Sequence, residues 1–386
     1  MKCASKVLGL CFLLAVLAGC GGGSGTTTLH PPVQQPRQLP AGTELLYVGD
    51  DVGVIHGFGV DPNSGSLTPL PTVAVTNGTA AADVGLTADA GGHALYATSD
   101  GIGGPNLASF VVDQTTGALS VSSQLSLPVP VRKLVAAPGG GAGPPCCVYV
   151  IPDSSAKAAQ LFQFTVDRFN AALTQVTPSI TLPCVPDDLT SDPAGSWLGI
   201  TCQGNLGGEA VGLGRDPVTG SLGTTMGVAT GGNSPQGIRV TPDGNFVVIA
   251  NQATNNVSVF SLDANTGVLT AVTGSPFATG GQPGPVAIDP SGKFVFVGDT
   301  GGNSLSAFTI DAAGSLTPVP GTAVSLGINA QPVAIAVDPG GKFVYVSIVP
   351  QQVAGFAFDS NTGALAPITG SPFSLGAVAR DMAFVP

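Results

Sequence analysis

Seven times along its 386 residues the chain returns to one motif: an Asp, a few turn-forming residues, a Gly, a small residue and Leu. It reads DPNSGSL from Asp61, DQTTGAL from Asp113, DPVTGSL from Asp216, DANTGVL from Asp263, DAAGSL from Asp311 and DSNTGAL from Asp359. A degraded copy, DRFNAAL, starts at Asp167. Successive copies lie 47 to 54 residues apart. A second element keeps step with the first. It is a short apolar strand: LLYVGD from Leu45, ALYATS from Ala94, CVYVIP from Cys147, WLGITC from Trp197, FVVIAN from Phe246, FVFVGD from Phe294 and FVYVSI from Phe343. Tight turns such as TPDGN (Thr241 to Asn245) and DPSGK (Asp289 to Lys293) precede most of these strands, and a further apolar run precedes each turn.

Each repeat therefore holds four short strands. The Asp motif forms the turn between strands three and four, where Asp bonds the backbone two residues on and Gly takes positive φ. Four-stranded units at this period are propeller blades, because one blade cannot bury both of its faces while seven around an axis can. The first repeat lacks a first strand, and residues 379–385 supply one and then stop. The C-terminal strand is thus expected to complete the N-terminal blade and remove an open edge. The expected fold is all-β: a closed seven-bladed β-propeller over residues 44–386, four antiparallel strands per blade.

Residues 1–20 are a different kind of sequence. Lys2 and Lys6 precede an apolar run from Val7 to Leu17, and Leu17-Ala18-Gly19-Cys20 closes it. This is the order of a secretory signal, too short to span a bilayer as a helix. Its ending resembles the bacterial lipobox, which implies acylation of Cys20. Gly21, not Asp, follows, which favours the outer membrane. Residues 21–43, rich in Gly, Thr and Pro, read as a tether. The chain is then an exported, lipid-anchored protein of the cell envelope, on the periplasmic or the outer side, and a monomer is expected.

Charged residues are 9% of the chain and the net charge is −11. Nucleic acid demands a basic stripe, so it is excluded as a partner. The scarcity of charge makes its placement informative. Aligned repeats put Arg132, Lys133, Asp187, Asp188, Gln236, Arg380 and Asp381 where first strands begin, around one mouth of the central channel. Asp50, Asp51, Asp100, Asn251 and Asp299 follow second strands on the same face, and Arg239 stands further along its strand, placed to pair with a channel carboxylate. Arg grips carboxylates and phosphates bidentately. Paired Asp can act as acid and base or offer oxygen to Ca²⁺; no cofactor is otherwise expected. The plain alternative is charge pairing and strand-end solvation around the channel. None of the three His is placed as a general base near the axis: His30 falls in the tether, His56 on a third strand and His93 in a turn at the far end.

Cys184 begins the first strand of the fourth blade and Cys202 ends its antiparallel partner, so a disulfide is expected in an oxidising compartment. Cys146 and Cys147 are adjacent, either bridged or free. They should lie on the other face from Cys184 and Cys202, so a zinc site built from all four is not expected. Trp197, Phe246, Phe294 and Phe343 read as core between blades.

The segment from Pro235 to Asn251, the Val257–Phe260 strand and the run from Asp263 to Phe277 resemble the lactonase-type seven-bladed propellers, the 6-phosphogluconolactonase relatives that overlap with YVTN-type surface repeats. The likeness covers residues 45–385. It implies the fold directly and an activity less directly, because one fold hosts many functions. The resemblance also implies a Pro-Arg-His entrance to a first strand and an Asn-Glu pair after a second strand. Arg132 and Arg380 match the Arg, but the His position holds Lys133 and Asp381. The fourth and fifth repeats read Asp187-Asp188 and Gln236-Gly237 there, and no repeat places Glu at the Asn-Glu position: those pairs are Asn251-Gln252, Asp299-Thr300, Asp50-Asp51 and Ser99-Asp100.

Three readings follow. The first is an envelope propeller that binds a small molecule, glycan or protein at the channel mouth. The second is a lactonase-family hydrolase (a carboxylic ester hydrolase) that opens a sugar lactone. The third is a purely structural envelope protein.

Overall fold

The computed structural model describes residues 38–75, 82–101, 104–139, 147–203, 207–263, 266–321 and 323–386. The expected signal with Cys20, most of the expected tether and Cys146 lie outside the described residues.

Seven antiparallel sheets are present among the described residues. Six are built from consecutive strands. The first joins the C-terminal strand Ala379–Val385 to Glu44–Asp50, pairing Leu45 with Val385 and Gly49 with Asp381. The first and last strands of the propeller thus close the ring, as the repeat pattern requires. The seven inner strands are Val84–Ala88, Val131–Ala137, Val185–Ser191, Pro235–Val240, Pro283–Ile288, Pro332–Val337 and Ala379–Val385. Each packs against the next, and the last returns to the first.

The core lies between blades. Successive side chains of a strand point to opposite faces, so Leu45 and Tyr47 enter the cluster shared with blade 2, while Leu46 and Val48 enter the one shared with blade 7. Seven apolar clusters occupy the seven interfaces. The outermost position is less uniform than the repeat suggests. Blades 2, 3 and 4 carry one continuous outer strand, as in Leu173–Thr181. Blades 1, 5, 6 and 7 split theirs into two short pieces, as in Leu269–Ala271 and Phe277–Ala278.

Carboxylates fix many of the blade turns. Asp289 lies buried and accepts from the Phe294 amide at 2.7 Å, and Asp192 does the same for Trp197 at 2.7 Å. In the motif turns, Asp216 accepts from Val218 and Thr219, at 2.8 and 2.9 Å. The motif Gly also meets the neighbouring blade. Gly65 holds φ +70°, and a Cβ there would stand 2.6 Å from the Phe343 ring of blade 7. Only glycine satisfies both demands.

The residues just before the first strand are bound to the domain. Leu39 donates its amide to the Thr115 carbonyl at 2.8 Å and packs against the cluster between blades 1 and 2. No described helix is long and apolar enough to cross a membrane.

Candidate functional site at the channel mouth

Inner strands begin, and second strands end, on one face. There a cavity of about 250 Å³ opens, lined among others by Arg132, Lys133, Asp187, Asp188, Gln236, Arg239, Arg380 and Asp381. Eight of the thirteen candidate residues read from sequence therefore share one cavity. Four of the chain's twelve Lys and Arg line it, a concentration that sets it apart in an acidic protein.

The outer ring of charge spans three blades. Arg380 of blade 1 places Nε 2.8 Å from Asp83 Oδ1, as an ion pair without hydrogen-bond alignment. Arg132 of blade 3 lies 3.8 Å from Asp83 and 3.8 Å from Asp153. Asp83 of blade 2 thus sits between two guanidinium groups. Its own amide donates to Asp100 Oδ1 at 2.7 Å. Burial pushes the Asp100 carboxyl above its usual range; the Asp83 amide opposes this, the Asp83 and Asp153 carboxylates add to it, and Arg132 opposes it.

A second ring lies deeper. Lys133 Nζ is 3.0 Å from Asp381 Oδ2, and Arg239 is 2.9 Å from Asp188 Oδ2. Both carboxylates also accept backbone amides, Asp381 from Leu86 and Asp188 from Ile238, each at 3.3 Å. Burial opposes the charge on Arg239, but Asp188 and then Asp381 outweigh it and push the guanidinium up. The expected pairing of Arg239 with a channel carboxylate is therefore present. These four side chains also line a larger cavity of about 590 Å³ that opens on the opposite face between apolar walls, including Leu134, Leu189, Val337 and Phe384. The two ion pairs form a belt between the two cavities.

Other candidates serve the scaffold. Asp50 is buried and accepts from Val52, Val54 and His56, which fastens the turn after its strand; His56 is occupied there at 2.9 Å. Asp299 accepts from Ser306 and Thr279 at 2.5 and 3.1 Å, and burial raises its carboxyl. Asn251 donates to Ser258 at 2.8 Å. Asp51 accepts the Val378 amide at 3.1 Å and so ties the final crossing to blade 1. Exposed His93 lies 3.8 Å from Asp89 at the far end. The Cys184–Cys202 disulfide is formed, with Cα atoms 5.7 Å apart. No group of three or more His, Cys, Asp or Glu is placed to hold a metal ion among the described residues.

Two residues of the outer ring escape a reading of the sequence. Asp83 precedes its inner strand without the Pro that marks most of the other entrances. Asp153 follows the second strand of blade 3, so the repeat register could have found it.

The family described as "Lactonase, 7-bladed beta-propeller" matches residues 214–282 and 274–378. The fold is shared with solved structures. One is the periplasmic gluconolactonase of Pseudomonas aeruginosa, 21% identical, with a TM-score of 0.71 over 89% of this chain and 99% of that one. Another is a candidate 6-phosphogluconolactonase of Bacteroides fragilis, 17% identical, with a TM-score of 0.72 over 91% of this chain and 100% of that one. A third is a candidate 6-phosphogluconolactonase of Bacteroides uniformis, 16% identical, with a TM-score of 0.71 over 89% and 99%. No curated protein matches the chain.

Proposed function

For a chain with the lactonase-type seven-bladed propeller fold, we propose lactone hydrolysis at the channel mouth, on a sugar lactone or a close relative of one. The observation that carries this reading is the outer charge ring: Arg380 and Arg132 flank Asp83 above a cavity lined by four cations. Opening a lactone places negative charge on the carbonyl oxygen as water adds. Guanidinium groups held in place by carboxylates are suited to stabilise that oxygen without reorganising. Asp187, on the cavity wall, is the proposed base: it takes a proton from the attacking water and returns it to the ring oxygen as the C–O bond breaks. The gluconolactonase and 6-phosphogluconolactonase names of the fold relatives support the substrate class.

A second reading has its own observation. The positions where the family resemblance implies His hold Lys133 and Asp381, and these pair with each other at 3.0 Å. A mouth built this way also suits binding of an anionic sugar or glycan without turnover. In either case we propose that the protein works in the cell envelope, exported and held to a membrane by lipid on Cys20.

The test is base uptake by the full chain against a panel of γ- and δ-sugar lactones, beside spontaneous opening. Arg380→Ala, Arg132→Ala and Asp187→Asn should each lose on the order of 10²-fold in kcat/KM. If no lactone opens above background while calorimetry detects binding that Arg380→Ala abolishes, hydrolysis is wrong and the binding reading stands.

A further inference from the structure

The face opposite the mouth carries an apolar rim that the site does not use. The turns between third and fourth strands emerge there. In blade 3 the degraded motif puts Phe169 at the third position of the turn, 98% exposed; blade 4 puts Val218 at the same position, 72% exposed. The corresponding residues elsewhere are Asn63, Thr115, Asn265, Ala313 and Asn361. Val268, in the next turn of blade 5, is 44% exposed. Three successive blades thus present apolar side chains on one edge of one face, where single-site exposure would need no explanation.

The chain enters the propeller on this same face. Leu39 is bonded to Thr115, in the turn of blade 2 beside that of blade 3. Only seventeen residues, Gly21 to Arg37, separate Gln38 from the lipobox Cys20. Such a length spans at most about 60 Å. An anchor on Cys20 therefore holds the rim near the bilayer at an effective concentration on the order of millimolar. A contact too weak to hold the free domain becomes decisive for orientation under that tether.

We propose that Phe169, Val218 and Val268 seat this rim in a zwitterionic phospholipid surface, leaving the mouth turned away from the membrane. A Phe with an adjacent Arg168 suits the headgroup boundary, where the ring enters and the guanidinium stays among phosphates. The charge on the three turns argues against an anionic surface: each opens with a carboxylate, Asp167, Asp216 or Asp263. The rival orientation has features of its own, since Ile328, 94% exposed, lies on the mouth face.

The experiment uses the acylated full chain in phosphatidylcholine vesicles, with and without bromine on the acyl chains. Trp197, the single native Trp, is buried and gives a constant background. Phe169→Trp and Val218→Trp should lose added emission to brominated lipid, because an interfacial side chain lies at the acyl boundary. Ile328→Trp should lose none. Hydrogen exchange in vesicles should slow at residues 167–170 and not at 326–330, a readout that needs no substitution. Quenching of Ile328→Trp in place of Phe169→Trp overturns the proposal, because the mouth then faces the membrane. Quenching of neither overturns it too: the domain stands clear, or the rim serves a protein. A purified chain whose mass shows no acyl group on Cys20 removes the premise and overturns it as well.

Discussion

Tyr345 Oη donates a hydrogen bond to the carbonyl of Gly65 at 2.6 Å, across the seam where the last blade meets the first. The bond recurs around the ring. Tyr47 reaches Gly117 at 2.9 Å and Tyr149 reaches Gly220 at 2.7 Å, each from a second strand to the motif Gly of the next blade. Tyr96 holds the same strand position, but the next blade carries the degraded turn, with Ala171 in place of Gly at φ +60°. Its buried hydroxyl has no hydrogen-bond partner.

This contrast gives a paired expectation. Tyr345→Phe leaves a buried carbonyl without its donor and should cost about 1–2 kcal/mol. Tyr96→Phe removes an unsatisfied polar atom and should cost nothing or add slightly to stability. Urea unfolding of both variants checks the pair. Equal losses would mean that the hydroxyls do not act as inter-blade latches.

The latches also show what the sequence made legible. The motif Gly and the second-strand aromatics are periodic, so blade number, strand order and ring closure could be read from spacing alone. What fills each interface could not. In blade 4 the Tyr position is Gly199, and the Trp197 ring covers it so closely that a Cβ on Gly199 would stand 2.2 Å away. That exchange between two positions of one strand has no periodic signature. The mouth divides in the same way. The repeat register brings eight of the thirteen candidates to one cavity, yet Asp83 becomes visible only when Arg132 and Arg380 converge on it from separate blades. Conversely, Asp50 and Asp299 have the register of site residues but are consumed by their own turns.

The turn carboxylates should make stability depend on acid. Backbone amides hold Asp61, Asp216 and Asp359 below the usual carboxylate range, and the Thr115 hydroxyl with nearby amides does so for Asp113. A carboxyl lowered by folding contributes stability above its unfolded pKa and loses it as pH falls through the folded one. Asp299 and Asp338 act in the opposite sense: burial raises them, so their contribution is present at low pH and declines as pH rises through their folded values. The wild-type melting temperature should therefore fall on acidification below about pH 4. A variant with Asn at positions 61, 113, 216 and 359 should fall less, because Asn keeps the turn without the titration. Calorimetry between pH 6 and pH 2.5, the span about those carboxylate pKa values, tests this; parallel curves would assign the acid response elsewhere.

The disulfide clips the entrance of blade 4. Cys184 and Cys202 are 18 residues apart in sequence and pin the inner strand to its partner beside Asp187 and Asp188. A loop of that size contributes about 3 kcal/mol by restricting the unfolded chain. The Cys184→Ala, Cys202→Ala double variant should lose an amount of that order in urea unfolding, and the wild-type protein under reductant should approach it. A reductant effect far larger than the double variant would mean that reduction acts at another site.

The belt across the channel makes a sharper demand, since its charges are interdependent. Asp188→Ala removes the carboxylate paired with Arg239 at 2.9 Å and leaves that guanidinium with Asp381, which already binds Lys133. Breaking such a pair from one side costs more than deleting both partners, because the remaining charge keeps its desolvation cost. The channel admits solvent, so the penalty should be about 1–2 kcal/mol, below that of a fully buried pair. Asp188→Ala should then destabilise more than Asp188→Ala with Arg239→Ala, and the cycle completed by Arg239→Ala alone should return a favourable coupling. Asp381 should show the larger single loss, because it serves Lys133 directly and Arg239 through the field. Strict additivity in this cycle would mean that the pairs are incidental to strands placed by backbone pairing, and that the two cavities are separated by packing alone.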